Sequence, residues 1–454
     1  MTNMIENGIK VCEIIKNNGF EAYFVGGCIR DMKMNTEMKD VDITTNATPD
    51  DIHNMFNSYI DTGIDHGTVS VRVDKDSDFY EVTTYRIDGK YDDGRHPNEV
   101  IFTPSLTEDL ARRDFTMNAI AYDPITKVTV DPFFGENDIK NKIINCVGDA
   151  KTRFMEDPLR VLRAMRFAIK YGFNISSSTK EAMHDKEVLN RLSECISKER
   201  ITDELRKMLT CGKPIHDIFM EFTDVIGVII PEMILCFNAP HNNVWHKHDI
   251  YEHILYVVDG CNTTKFEIKL AALLHDIGKP ACRTSEDGKD HFYGHPKVSV
   301  EIAKDIFNRD LVISNKEKAH ILTLIEKHDI FINDTHKGMI RLLSETSEEF
   351  IRDWLILKWA DLDDHKAPEG KENVLEDTIR RYNNFKNNLD SIIAEANALK
   401  ITDLKINGRD IIELFNIKPG PEIGRILKQL FEDVLDENCA NEREALLERV
   451  KTLV

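Results

Sequence analysis

Asp40 and Asp42 stand two residues apart in Lys39-Asp40-Val41-Asp42-Ile43, about a dozen residues after the adjacent glycines Gly26-Gly27. On an extended strand, side chains two apart share a face, so the spacing predicts paired carboxylates. Paired hard oxygen ligands suit Mg2+ carrying a nucleoside triphosphate. Glycines after the strand Tyr23-Phe24-Val25 let backbone N–H groups approach a polyphosphate with no Cβ in the way. Either half alone reads as a glycine turn or a solvated acidic strand end. Together, inside an αβ pattern, they point to nucleotidyl transfer. That chemistry gains from a third acid on a neighbouring strand, and Glu81 in Tyr80-Glu81-Val82-Thr83-Thr84-Tyr85 is the candidate.

Two further strings could serve the same reaction. In Asp109-Leu-Ala-Arg112-Arg113-Asp114-Phe-Thr-Met-Asn118, the arginines suit triphosphate oxygens and the asparagine suits a sugar hydroxyl. In Glu156-Asp157-Pro158-Leu159-Arg160, Pro158 sits where a helix start tolerates it, and Asp157 and Arg160 are three apart on one face. A carboxylate beside a guanidinium accepts from an exocyclic amine and donates to a ring nitrogen. Cytosine and adenine offer that edge, and uracil and guanine offer the reverse, so such a pair selects CTP and ATP. The bland alternative is a helix cap with an ion pair.

A separate constellation crowds about 85 residues with His246, His248, His253, His275, Asp276, His291, His295 and His328-Asp329. Leu270-Ala-Ala-Leu-Leu-His275-Asp276 predicts a buried helix that delivers two donors at its end, which suits a divalent metal.

The elements that must position these groups follow the same order. Residues 1 to about 148 mix strands and helices, with a helix at Val11 to Asn18 and strands at Gly67 to Val73 and Phe79 to Tyr85. Beyond about 149 strand signals stop, and 155–170, 179–192, 197–210 and 214–226 read as helices. A break at Pro231 and 241–243 precedes the histidine-rich helical stretch, and Pro368-Glu369-Gly370 reads as a linker. The expected domains are therefore 1–148, 149–240, 241–368 and 369–454.

At 454 residues the chain should form two to four domains, and 41% hydrophobic residues fit a soluble globular protein. No apolar run reaches a membrane span; the best, Val225 to Ile230, is cut by Pro231 and Glu232. MTNMIENGIK has no apolar signal-peptide core, and nine scattered cysteines without a CxxC pair fit reduced thiols, so a cytoplasmic protein is expected. The net charge of −20 opposes general nucleic-acid binding. A local stripe of Lys151, Arg153, Arg160, Arg163, Arg166 and Lys170, against Glu156 and Asp157, could still hold RNA.

Five strings in order, GGCIRD, KDVDI, RRDFTMNA, EDPLRVLRAMRF and SKERI, resemble the bacterial CCA-adding tRNA nucleotidyltransferases and poly(A) polymerases of the DNA polymerase β superfamily. The resemblance implies an α+β fold: a mixed αβ head, an all-α neck, then helical domains. It implies template-independent addition of the 3′ CCA of tRNA from CTP and ATP, with Asp40 and Asp42 at the Mg2+ site. Gly26, Gly27, Arg30, Arg112, Asp114 and Asn118 would meet ribose and triphosphate. Asp157 and Arg160 would read the base, Arg163 and Arg166 would join the nucleotide site, and Glu199-Arg200 would brace the neck. The loop ending Tyr91-Asp92-Asp93-Gly94-Arg95 looks like the flexible element that accompanies A addition. A poly(A) polymerase and an A-adding enzyme are the near alternatives, and an RNA-binding head beside a working hydrolase the distant one.

IYEHIL, LLHDIGKP, YGHPKVS, EKHD and WADLDD resemble the HD phosphohydrolases. This implies a second divalent metal site with His253, His275, Asp276 and Asp361 as ligands, Asp363 or Asp364 being alternatives to Asp361. His295 and His328 would complete a second position there. The tail, from Ile401 onward, resembles the tRNA-docking part of such transferases. Oligomeric state is not legible in the sequence.

Overall fold

A computed structural model describes residues 2–89, 100–241, 245, 247–286, 288–367, 370–398, 404–435 and 438–453. The loop at 91–95, His246, most of the linker and the first residues of the tail lie outside the described residues. The chain divides into two compact units, 1–234 with 306–313, and 235–305 with 314–454.

The first unit opens with a seven-stranded sheet. Its strands are β1 (Ala22–Val25), β2 (Asp42–Thr45), β3 (Tyr59–Gly63), β4 (Thr68–Val71), β5 (Tyr80–Thr84), β8 (Ala121–Tyr122) and β9 (Thr129–Val130), in the order β3-β4-β5-β2-β1-β8-β9. β6 (Arg86–Asp88) and β7 (Val100–Phe102) form a separate antiparallel hairpin. The central pairing is antiparallel between β1 and β2, with Val25 opposite Asp42, and parallel between β2 and β5, with Ile43 opposite Val82. β2 buries Ile43, Thr44 and Thr45, and helix Thr2–Asn17 lays Val11, Cys12 and Ile15 against β1 and β2. The N-terminal helix is longer than the expected Val11 to Asn18 because its apolar stripe begins earlier.

The expected helix at 155–170 is two helices, Ala150–Glu156 and Leu159–Tyr171. Proline drives its predecessor out of the α region, and Asp157 takes an extended conformation at φ −136°. The expected helix at 179–192 also divides, into Ser177–Met183 and Lys186–Cys195, because Asp185 caps the second one through the N–H groups of Glu187 and Val188. The stretch 214–226 likewise forms His216–Glu221 and Thr223–Ile229, whereas Lys198–Leu209 is a single helix. Strand structure does not stop at 149. Asn174–Ile175 pairs in parallel with Ile143–Ile144, and Thr284–Glu286 pairs with Lys289–His291.

The second unit is helical apart from that hairpin. Helix Phe266–Leu274 is its centre: residues 268–279 are all buried, as a helix apolar on every side requires. Ile250–Gly260, Asn315–Lys327 and Glu348–Asp364 pack around it. Helix Glu372–Ala398 leads on, and Gly408–Phe415, Pro421–Leu435 and Arg443–Lys451 close over their own core of Leu404, Ile406, Ile411, Ile426, Leu430, Leu446 and Val450.

Candidate nucleotidyl-transfer and metal sites

The head site forms where β1 ends. Gly26 leaves the strand at φ 80° and ψ −133°, a conformation that L side chains rarely adopt. A Cβ there would lie 3.1 Å from Arg113 Nη1 and 3.7 Å from Asp42 Oδ2. The glycine therefore keeps open the space between a guanidinium and a carboxylate. Val41 is buried, so Asp40 and Asp42 lie together on the opposite, open side of the segment. Parallel pairing of Ile43 with Val82 sets Glu81 beside Asp42. Burial, then the charges of Asp40 and Glu81, push the Asp42 carboxyl up to about 6 against the pull of Arg113. Three acids sharing so little compensating charge are a donor set that fits a divalent cation.

The arginine facing this site is Arg113. Its Nε is buried without a hydrogen-bond partner, and its Nη2 is 3.5 Å from Asp109 Oδ2. Arg112, the arginine implied by resemblance, turns to Asp109 at 2.9 Å and Asp88 at 3.8 Å. Asp109 is fully buried and also accepts from Thr44 Oγ1 at 3.1 Å, which ties the arginine pair to β2. Only the doubled arginine was visible in the sequence; which one faces the site depends on the end of helix Leu106–Ala111.

Arg30, Asp114, Asn118 and Arg163 form one network. Arg30 donates to Asp31 and, at 2.8 Å, to Asn118 Oδ1, and it lies over the rings of Phe167 and Tyr171. Asn118 donates to Asp114 Oδ1 at 2.9 Å. Arg163 closes on Asp114 Oδ2 through Nε at 2.9 Å and Nη2 at 2.6 Å. Burial acts to raise the Asp114 carboxyl, but Arg163 and Asn118 outweigh it and hold it well below the usual carboxylate range.

Asp157 and Arg160 are brought close in the chain but are oriented by separate partners. Asp157 accepts from Arg200 Nη2 at 2.9 Å and from the Leu159 N–H. Arg160 Nη1 donates to Glu156 at 2.8 Å and to the Arg153 carbonyl, and its Nη2 donates to the Arg112 carbonyl. Arg166 turns to the buried Glu204 at 2.6 Å. Five of the six cations of the basic stripe thus pair with carboxylates: Lys151 with Asp185 and Glu187, Arg153 and Arg160 with Glu156, Arg163 with Asp114, and Arg166 with Glu204. The stripe is largely neutralised within the fold. A cavity of about 280 Å³ lies beside it, lined by Ile87, Asp88, Glu108, Arg112, Arg153 and Glu156.

In the second unit, His253, His275 and Asp276 converge, and Asp276, His295 and His328 converge beside them. Asp276 belongs to both triads. Its Oδ2 is 3.4 Å from His253 Nε2 and 3.2 Å from His275 Nε2, and its Oδ1 is 3.1 Å from His295 Nε2 and 3.6 Å from His328 Nε2. His275, His295 and His328 each set Nδ1 against the carbonyl three residues earlier, at 2.7, 2.9 and 2.7 Å. An N–H at Nδ1 leaves the Nε2 lone pair of a neutral imidazole toward Asp276. His275 Nε2 is buried with no hydrogen-bond partner. An inward lone pair fixed by an outer hydrogen bond is what a metal ligand requires, so the residues fit divalent ions.

Asp361 Oδ1 is 3.4 Å from His253 Nε2, whereas Asp364 accepts at His253 Nδ1, 2.8 Å away, and Asp363 is exposed. The geometry thus sets Asp361 on the ligand side and Asp364 on the orienting side. Burial disfavours a charged His253, but Asp276, Asp361 and Asp364 prevail and raise it to about 10. Lys279, which the sequence offered without a role, reaches Asp276 Oδ2 at 2.5 Å. His248 is held near Glu252 and Asp364. His291 and Asp329 line a cavity of about 290 Å³ that opens on Asp276, His295 and His328.

The poly A polymerase head domain family matches residues 22–145, the HD domain family residues 249–403, and tRNA nucleotidyltransferase domain 2 residues 358–450. The CCA-adding enzyme of Staphylococcus saprophyticus is 31% identical over 471 residues, covering 100% of each chain. That of Staphylococcus haemolyticus is 33% identical over 468 residues, covering 99% of this chain and 98% of its own. The chain belongs to the CCA-adding enzymes. The crystal structure of the Bacillus stearothermophilus CCA-adding enzyme in complex with CTP matches 100% of this chain with a TM-score of 0.67 at 28% identity, covering 99% of that chain. In this family's terms the protein is a tRNA nucleotidyltransferase with an HD domain. No helix among the described residues is long and apolar enough to cross a membrane.

Proposed function

We propose that the head edge at Gly26 is the site where CTP and then ATP are joined to the 3′ end of tRNA, without a nucleic-acid template. The observation that carries this reading is the convergence of Asp40, Asp42, Glu81 and Arg113 on a glycine that must stay bare. The relatives' CCA-adding activity and the CTP-bound neighbour support it. Mg2+ held by Asp40 and Asp42, with Glu81 behind, would neutralise charge on the reacting phosphoryl group. Arg113 lies where it can take triphosphate charge, and Gly26 lets the phosphates approach the backbone. Asp157, held by Arg200, and Arg160, held by Glu156, present acceptor and donor to the incoming base. The Asp114–Arg163 pair fixes the neck helix against the head.

The buried histidine–aspartate cluster is a divalent-metal phosphohydrolase site, with His253, His275, Asp276 and Asp361 at one position and His295 and His328 beside Asp276 at the other. Metal there supplies Lewis acidity toward a phosphoryl oxygen. Lys279 adds a cation at the cavity floor, suited to a phosphate ester. Residues 1–148, 149–240, 241–368 and 369–454 serve as head, neck, HD domain and tRNA-docking tail. The nine free cysteines fit a reducing cytoplasm.

The decisive experiment supplies tRNA ending at the discriminator base with each labelled NTP separately, and with CTP and ATP together, and reads product length on a gel. CTP alone should add two nucleotides, CTP with ATP three, and UTP and GTP none. Long A tracts without C would overturn the reading in favour of a poly(A) polymerase.

A further inference from the structure

The cavity over the histidine–aspartate cluster carries an aromatic pair that the metal chemistry does not use. The hairpin Thr284–Glu286/Lys289–His291 runs into Phe292-Tyr293-Gly294-His295. Phe292 points inward, 8% exposed, and its carbonyl accepts from His295 Nδ1. Its neighbours point the other way. The rings of His291 and Tyr293 stack with centroids 5.3 Å apart and planes 6° from parallel. Both line the cavity that also holds Asp276, Lys279, His295 and His328. Tyr293 nevertheless keeps 79% of its surface exposed. The ring thus offers an open face at the cavity mouth, and covering that face with another ring would bury apolar area the fold leaves exposed. Gly294, at φ 78°, then turns the chain so that His295, the next residue, enters the metal cluster.

We infer that Tyr293, backed by His291, is a base-stacking subsite, so that the hydrolase site takes a nucleobase-bearing phosphate ester rather than a bare sugar phosphate or inorganic phosphate. This rests on the hydrolase reading above. A ring lying on Tyr293 places its own ribose and phosphate toward Lys279 and the Asp276 cluster, because all of them line one cavity of about 290 Å³. Stacking on an aromatic platform accepts any base, so the subsite selects for a base without reading which one. A free nucleotide and the terminal nucleotide of an RNA share this chemistry.

The test uses the full chain with Mn2+ in an Asp40→Ala/Asp42→Ala background, called wild type below, which removes metal-dependent nucleotide binding at the head without adding a competing base. Binding of adenosine 3′-monophosphate, ribose 5-phosphate and inorganic phosphate is measured by equilibrium dialysis on wild type, Tyr293→Ala, Tyr293→Phe and the double variant His275→Ala/Asp276→Ala. Tyr293→Ala should weaken the nucleotide about tenfold and leave the two base-free probes unchanged, and Tyr293→Phe should restore binding. If the double variant loses nucleotide binding but Tyr293→Ala does not, the subsite is overturned and the hydrolase reading stands. If the double variant binds all three probes as wild type does, the hydrolase reading falls and the subsite with it. A 3′-phosphorylated tRNA minihelix, run as a second arm, assigns the source. Dependence on Tyr293 for the minihelix as well as the mononucleotide supports an RNA end, and dependence for the mononucleotide alone supports a free nucleotide.

Discussion

Val25 and Asp42 are directly opposite each other across β1 and β2. That one pairing brings the glycine turn, which begins at the next residue, against the acid strand. Two motifs about a dozen residues apart in sequence become two walls of one cleft, with Arg113 as the third.

Replacing Asp40 or Asp42 by Ala should abolish incorporation of CTP and ATP alike while tRNA binding persists. Losing a metal-holding carboxylate costs several kcal/mol of transition-state stabilisation, about a thousandfold or more in rate. Single-turnover incorporation and filter binding on the same preparations separate the two. Activity within tenfold of wild type in both variants would remove these acids from the chemistry.

Gly26→Ala tests the cradle. The added Cβ meets Arg113 Nη1 at 3.1 Å in a backbone conformation costing about 1–3 kcal/mol for a residue with a side chain. The expected result is a lowered melting temperature and a raised KM for both nucleotides. An unchanged KM would show that the phosphates do not pass Gly26.

The motifs were legible because each is local. Two acids at strand spacing, a glycine pair, and a His-Asp pair ending an apolar helix need only a short stretch of sequence to be seen. What stayed hidden depends on partners distant in the chain. Arg163 meets Asp114 49 residues away and Arg166 meets Glu204 38 residues away, so a stripe that reads as basic is mostly neutralised. Among Asp361, Asp363 and Asp364, three acids on one helix, Asp363 is exposed, and the choice between the other two is made by which imidazole nitrogen of His253 each meets. The helix breaks at Asp157 and Asp185 were signalled by a following proline and a capping aspartate, and they lie inside stretches whose apolar periodicity continues across them.

Asp114→Asn should loosen the neck against the head. The buried carboxylate takes both arms of the Arg163 fork, and a hydrogen-bonded charged partner of this kind contributes about 1.5–3 kcal/mol. Asp114 titrates below its ordinary value in the folded protein, so its contribution is complete above the unfolded value of about 3.9 and is lost as the pH falls toward the native one. Melts at pH 7 should separate wild type from the variant by several degrees, and the gap should narrow below about pH 4. Equal melting temperatures at pH 7 would show that the pair adds nothing.

Base choice should respond to a residue that touches no base. Asp157→Ala should cost about 2–3 kcal/mol of discrimination against UTP and GTP, or of use of CTP and ATP, which is about 30- to 150-fold. Arg200→Ala should give a smaller change of the same kind, since Arg200 Nη2 holds Asp157 Oδ2 at 2.9 Å. Ratios of kcat/KM for the four nucleotides measure both. Normal selectivity in Asp157→Ala would make Asp157 only the cap between two helices.

Loss of the histidine–aspartate cluster should leave the head working. His275 and Asp276 are 0% and 1% exposed, and Asp276 reaches every other histidine of the cluster, so changing both to Ala removes a ligand from each position at once. Wild-type protein should retain divalent metal beyond the Mg2+ of the head when analysed after gel filtration, and the double variant should lose it. Hydrolysis should follow the metal: release of a terminal phosphate, or opening of a 2′,3′-cyclic phosphate, assayed across a panel of divalent ions, should disappear in the variant. CCA addition should continue, because the ligands of the two centres lie in different units of the chain. Removing a buried cluster also removes charge attractions around His253 and Asp276, so a circular-dichroism melt on the same sample must show a cooperative transition before loss of hydrolysis is assigned to the metal. If wild type hydrolyses none of these esters with any ion and carries no metal outside the head, the cluster is a buried polar core and the hydrolase assignment is wrong.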